Sequence, residues 1–217
     1  AAGAGMGPAR QAARAAGIAD ARTAYAVNQI CGSGLRAVAN GLMAIASGQQ
    51  NIVVAGGMES MSQAPHCLHL RSGTKMGNAA MIDTMVNDGL WDIFNNYHMG
   101  ITAENVAAQW QITRAAQDEL ALASQNKTEA AIKAGKFAAE IVPVVIKTKK
   151  GEDTVAQDEF PRFGTTMDAL AKLKPAFKPD GTVTPGNASG INDGAAAVVL
   201  MTATEAAKRG LKPLARI

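Results

Sequence analysis

The residues best suited to chemistry run Asn28-Gln29-Ile30-Cys31-Gly32-Ser33-Gly34-Leu35-Arg36, a thiol at the junction of two periodic patterns. Tyr25, Val27 and Ile30 partly alternate before it, which suits a strand over 23–30. After it, Leu35, Val38, Leu42 and Ile45 fall on one helical face. A cysteine so placed stands near a helix N-terminus, where unpaired backbone N–H groups and the positive end of the helix dipole favour the thiolate. A thiolate attacks an acyl carbon. Gly32 and Gly34 permit a sharp turn and let a substrate approach the backbone. Cysteine is also among the most often buried residue types, so spacing alone leaves catalysis and packing both open.

Two other groups could bind a ligand. Gly186-Asn187-Ala188-Ser189-Gly190-Ile191-Asn192-Asp193-Gly194 precedes an apolar strand over 195–201 and could present backbone and amide hydrogen bonds. A Gly/Asn-rich stretch is often only a turn. His66, Cys67 and His69 match no closed zinc spacing and no second ligand pair follows, so no metal is expected.

The elements that must position these residues come from 217 residues, 47% hydrophobic and 18% charged, the balance of a folded globular protein with a sizeable core. A net charge of +3 without a long basic block implies neither nucleic acid nor an anionic membrane as partner. No apolar run approaches the ~18 residues of a spanning helix. Cys31 and Cys67 make no disulfide framework, so a reducing, cytoplasmic compartment is expected. Ala1 to Gly5 shows neither an initiating Met nor a targeting pattern, as expected of a chain beginning inside a longer gene product.

Pro8 to Ala16 reads as a helix stopped by Gly17 and laid over a sheet face. A helix over 35–47 follows the Cys31 strand, and Ile52-Val53-Val54 has the composition of a buried parallel strand. Together they predict a βαβ unit. From Met58 to Gly100 regular patterning stops for about forty residues, a length that usually covers a site or builds an oligomer contact. Six of the ten methionines lie there. Helices return with Thr102 as N-cap and Glu104 in the first turn, then after Thr113 up to Gly135. An edge strand over 140–147, marked by Pro143, turns through 149–153 into a hairpin. A short helix over 167–173, a turn at Asp180-Gly181 and a capping box of Thr202 and Glu205, with Gly210 as stop, complete the pattern.

The motif around Cys31 resembles the N-x-x-C-G-S-G-L segment of the thiolase family, whose first-half nucleophile Cys31 matches. Gly56-Gly57-Met58-Glu59-Ser60-Met61-Ser62, Tyr97-His98-Met99-Gly100, Thr102-Ala103-Glu104-Asn105 and Gly186 to Gly194 follow in the family's order and extend the likeness over nearly the whole chain. It is greatest to the short-chain, biosynthetic acetyl-CoA acetyltransferases. The resemblance implies an α/β fold, a layered αβαβα sandwich in the complete protein. Residues 1–61 and 192–217 would belong to the core, and 62–191 to an inserted loop domain binding coenzyme A and supporting tetramerisation.

It also implies roles. Cys31 would carry the acetyl group as a thioester, with its own backbone N–H helping to hold the oxyanion. Ser189 would bond the pantetheine arm and His98 would sit beside it. Met99 would shape a short acyl pocket. Leu90, Phe177 and Ile191 would line the tunnel, and Arg162 would lie near the adenosine end. Leu68 to Gly77, with Arg71 and Lys75, resembles a tetramerisation loop. The coenzyme A thioester would be the substrate, with no cofactor.

The departures are specific. The family's N-x-x-G-G-x-x-x-x-G-H-P and C-x-G segments are absent from the 217 residues, and with them the base histidine, the second cysteine and most of the oxyanion hole. The family's first strand is missing too. Pro185 stands where Ala is frequent, and Ala169 where a Ser often faces the nucleotide. The expected reaction is condensation of two acetyl-CoA to acetoacetyl-CoA and free CoA. Alternatives are a longer-chain 3-ketoacyl-CoA thiolase, another acyltransferase of the fold or, for this chain alone, an inactive coenzyme A-binding or oligomerising piece.

Overall fold

The computed structural model describes residues 3–217; Ala1 and Ala2, part of the stretch read for targeting signals, lie outside the described residues. In chain order the elements are α1 (Pro8–Ala15), α2 (Ser33–Ala46), β1 (Ile52–Ser60), β2 (His66–Cys67), β3 (Ile82–Asp83), β4 (Trp91–Asp92) and β5 (Tyr97–His98). Then come α3 (Met99–Gln109), α4 (Arg114–Lys133), β6 (Val144–Thr148), β7 (Gly151–Val155), α5 (Met167–Ala171), β8 (Asp193–Met201) and α6 (Ala203–Lys208). Two compact units form: one runs to Gly89 and resumes over Ile191–Ile217, the other is Leu90–Gly190. Residues 62–89 thus group with the first unit.

In the first unit β1 and β8 pair antiparallel from Ile52 opposite Met201 to Ser60 opposite Asp193. Helix α2 covers one face of this ribbon, and Gly41 makes the close approach possible. A Cβ there would stand 2.8 Å from Leu200 Cδ1 and 3.1 Å from Val53 Cγ1. Strand alternation turns Val54 and its partner Val199 to the opposite face, where they are 53% and 60% exposed.

Residues 23–28 join no ladder, and among the described residues the only pairing near Cys31 is an isolated bridge between Gln29 and Cys31. β1 is antiparallel to its partner and is not buried along its length, so the βαβ unit does not form. Alternation and β-branching specify extended backbone and say nothing of which strand is available to pair with it. Helix α1 has no buried residue and covers no sheet face; Arg10 and Arg14 tie it to Asp20. Among the described residues no sizeable core forms. Their buried apolar members are Ala55 and Ala206 in the first unit, and Ala107, Leu170 and Val183 in the second. A helix on one face of a two-stranded ribbon leaves the other face uncovered.

Local signals hold better. Threonine hydroxyls cap α4, α5 and α6: Thr113 accepts from Ala116 N–H at 3.2 Å, Thr166 from Ala169 N–H at 3.2 Å and Thr202 from Glu205 N–H at 3.1 Å. The Glu205 carboxylate pairs with Arg209 at 2.7 Å. β6 and β7 form the expected hairpin, though Gly151, expected in the turn, already opens β7. Residues 58–100 are mostly irregular, with two-residue pairings β2–β3 and β4–β5. Thr102 is not an N-cap. α3 begins three residues earlier, His98 caps it, and the Thr102 Oγ1 is buried without a partner.

Candidate active site

Cys31 is an exposed free thiol directly before Gly32, the N-cap of α2. The backbone that delivers it is unusual. Ile30 has φ +49°, and of the three non-glycine residues with positive φ among the described residues, Ile30, Asn96 and Gln111, it alone is β-branched. A β-branched side chain in the left-handed region is a steric outlier costing on the order of 1–3 kcal/mol.

The polar residues of the motif hold that turn. Ile30 N–H donates to Asn28 Oδ1 at 3.0 Å, and Ile30 C=O accepts from Ser33 N–H at 3.1 Å and Ser33 Oγ at 2.7 Å. Ser33 Oγ in turn accepts from Gln29 N–H at 2.8 Å, and Arg36 Nε donates to Gln29 Oε1 at 2.6 Å. Each such bond contributes on the order of 1 kcal/mol, so the three on Ile30 suffice to offset its strain.

In the second unit His98 and Phe177 come together, their ring centroids 4.8 Å apart and their planes 21° from parallel. His98 Nδ1 accepts from Gly100 N–H at 3.0 Å, which leaves Nε2–H as the ring's outward donor. Gly100 is buried beneath Phe177, and a Cβ there would enter the aromatic ring. Met99 follows at 37% exposure, and Leu90 is half-buried. Among the described residues no hydrogen bond or ring contact links Leu90, Arg162 or Ser189 to the His98–Phe177 pair. Arg162 is exposed, its N–H donating to Gln125 Oε1 at 2.9 Å. Ser189 is exposed. Cys31 and Ile191, the latter 63% exposed, belong to the first unit.

The loop before Ser189 is fixed by buried carboxylates whose role the sequence reading missed. Glu104, 4% exposed on α3, accepts from Thr182 N–H at 2.8 Å, Val183 N–H at 2.8 Å and Thr182 Oγ1 at 2.9 Å. Burial pushes its carboxyl up, but hydrogen bonds from Val183 and Thr182 and the nearby Lys178 ammonium outweigh this and hold it below the usual glutamate range. Asp118, 2% exposed, accepts from Arg114 Nε at 2.7 Å and Asn187 Nδ2 at 2.9 Å. Asn187 Oδ1 also accepts from Thr184 N–H at 2.8 Å. One signal was available, since Gly100, Glu104 and Ala107 share the buried stripe of α3, and a carboxylate on such a stripe must find donors.

The Gly186 to Gly194 stretch therefore spends Asn187 on the fold. Asp193 is spent likewise: Ser62 hydroxyl and N–H, then Ser60 hydroxyl and Met61 N–H, hold its carboxyl below the usual range. His66 stands 4.0 Å from Asp83, and among the described residues no group of three or more His, Cys, Asp or Glu could hold a metal ion.

Fold and site define an α/β protein that presents a cysteine thiol on a strained turn ahead of a helix. Residues 1–204 match the thiolase N-terminal domain. The chain is 66% identical over 216 residues to an acetyl-CoA acetyltransferase of Rhizobium meliloti (strain 1021), covering 100% of this chain and 55% of that protein. It is 58% identical over 218 residues to the cytosolic acetyl-CoA acetyltransferase of Mus musculus, again 100% of this chain and 55% of the relative. An acetyl-CoA acetyltransferase structure from Syntrophomonas wolfei superposes with a TM-score of 0.93 at 43% identity, over 98% of this chain and 54% of that one. The chain belongs to the thiolase family, has its α/β fold, and spans about half the length of the relatives it matches.

Proposed function

We propose that the protein carrying this chain is an acetyl-CoA C-acetyltransferase that reversibly condenses two acetyl-CoA to acetoacetyl-CoA and free CoA through an acetyl-Cys31 intermediate. The observation that carries the reading is the exposed Cys31 on its hydrogen-bonded turn. Its thiolate attacks the acetyl carbonyl; the Cys31 S–C bond forms as the CoA S–C bond breaks, and CoA leaves with a proton. The α-carbanion of a second acetyl-CoA then attacks the thioester carbonyl, and the Cys31 thiolate is released. The proton-transfer groups for both steps are, by family resemblance, not among these residues.

In this reading His98 Nε2–H and Ser189 hydroxyl bond the pantetheine arm. Met99 limits acyl length, Leu90, Phe177 and Ile191 line the acyl tunnel, and Arg162 meets the adenosine end. No cofactor takes part, because the thioester is itself activated. Residues 62–191 act as the coenzyme A-binding loop domain, and the exposed Leu68 to Gly77 loop supports a homotetramer. The cytosolic relative supports a cytoplasmic location; among the described residues no helix is long and apolar enough to cross a membrane.

Steady-state thiolysis by the complete protein tests this. Acetoacetyl-CoA should be cleaved and longer 3-ketoacyl-CoA esters used poorly, with Cys31→Ala abolishing turnover. A preference for longer substrates would replace the acetyl assignment with a degradative one. A Cys31→Ala variant within about tenfold of native activity would end the covalent reading.

A further inference from the structure

The backbone before the thiol has a purpose separable from the fold. We infer that Ile30 is a positioning residue, and that Asn28 and Ser33 form a clamp whose task is to hold its left-handed backbone so that Cys31 stands exposed ahead of α2. This rests on the reading of Cys31 as the acyl nucleophile.

Ile30 holds a φ of +49°, and it alone of the positive-φ non-glycine residues among the described residues is β-branched. An isoleucine left to itself adopts extended or right-handed backbone. Three hydrogen bonds converge on its N–H and C=O, two of them from Ser33. Gly32 N–H and Ser33 N–H close two successive turns onto Gln29 C=O and Ile30 C=O, at 2.9 Å and 3.1 Å. Cys31 is the residue between those closures. Releasing the clamp lets Ile30 relax and turns Cys31 out of its place directly ahead of α2.

The test uses the complete protein and takes a second cysteine as reference. Cys67 is half-buried on β2, in the same unit as Cys31 but outside the turn, and serves as an internal reference. Limiting iodoacetamide followed by peptide mass spectrometry gives the Cys31-to-Cys67 labelling ratio, which reads how the turn presents the Cys31 thiol. Ser33→Ala should lower the ratio about tenfold. Adding Ile30→Asn should restore most of it, because asparagine tolerates the left-handed region without a clamp. Ile30→Asn alone should raise Tm. A ratio untouched by Ser33→Ala, no rescue by Ile30→Asn, or a Tm lowered by Ile30→Asn would each overturn the inference, and the Tm arm remains decisive if Ser33→Ala fails to fold. No step needs acetyl-CoA, so failure of acyl transfer would remove the functional reading without moving this ratio.

Discussion

The turn at Cys31 and the Glu104–Asp118–Asn187 network use the same chemistry, side chains bonded to loop backbone, under opposite conditions. At Cys31 the bonds are exposed and hold a strained residue. In the network the carboxylates are buried, and the non-glycine residues they bind have ordinary backbone. Exposed bonds contribute little each and can be lost without unfolding; buried charged ones cannot. The first arrangement suits presentation of a reactive group, and the second suits a rigid scaffold.

The comparison can be broken first at its stable end. Asp118→Ala leaves Arg114 and Asn187 without their shared partner and should destabilise the second unit by about 3 kcal/mol or more. Trp91 and Trp110, the only tryptophans, both lie in that unit, so fluorescence during urea unfolding reports on it. A loss below about 1 kcal/mol would show that the network is not the scaffold. Gly100→Ala forces a methyl into the Phe177 ring and should cost about 1–3 kcal/mol in the same assay.

Glu104→Gln should cost about 1–2 kcal/mol at neutral pH, and it sharpens the comparison through pH. The folded-state carboxyl lies below its usual range, so its stabilisation is present above the usual glutamate value and is lost as pH falls through the lowered folded value. Native unfolding free energy should therefore decline on acidification more steeply than that of Glu104→Gln; parallel acid limbs would contradict the assignment. The smallest effect is expected at the presenting end. Ser33→Ala should cost under about 1 kcal/mol by circular dichroism, while changing Cys31 labelling far more.

What was legible in the sequence was local. The N-caps Thr113 and Thr202 and the β6–β7 hairpin need only near neighbours, and α2 followed from its apolar spacing. Pairing was not legible, because Val27 and Ile30 specify an extended chain and no partner. Glu104 and Asp118 were hidden for a related reason. Their partners Thr182 and Asn187 lie 78 and 69 residues away, and only the buried stripe of α3 hinted at the first. Cys31 was the reverse case. Its neighbours in sequence are its neighbours in space, so the candidate nucleophile could be read from the motif, though the left-handed Ile30 behind it could not.

The claim that Cys31 is the acyl carrier is tested most directly by trapping. The complete, active protein is mixed with acetyl-CoA, quenched in acid and digested, and the peptide containing Cys31 is weighed. The account predicts one acetyl group on that peptide, removed again when CoA is added before the quench. An unmodified Cys31 in a preparation that turns over would contradict it.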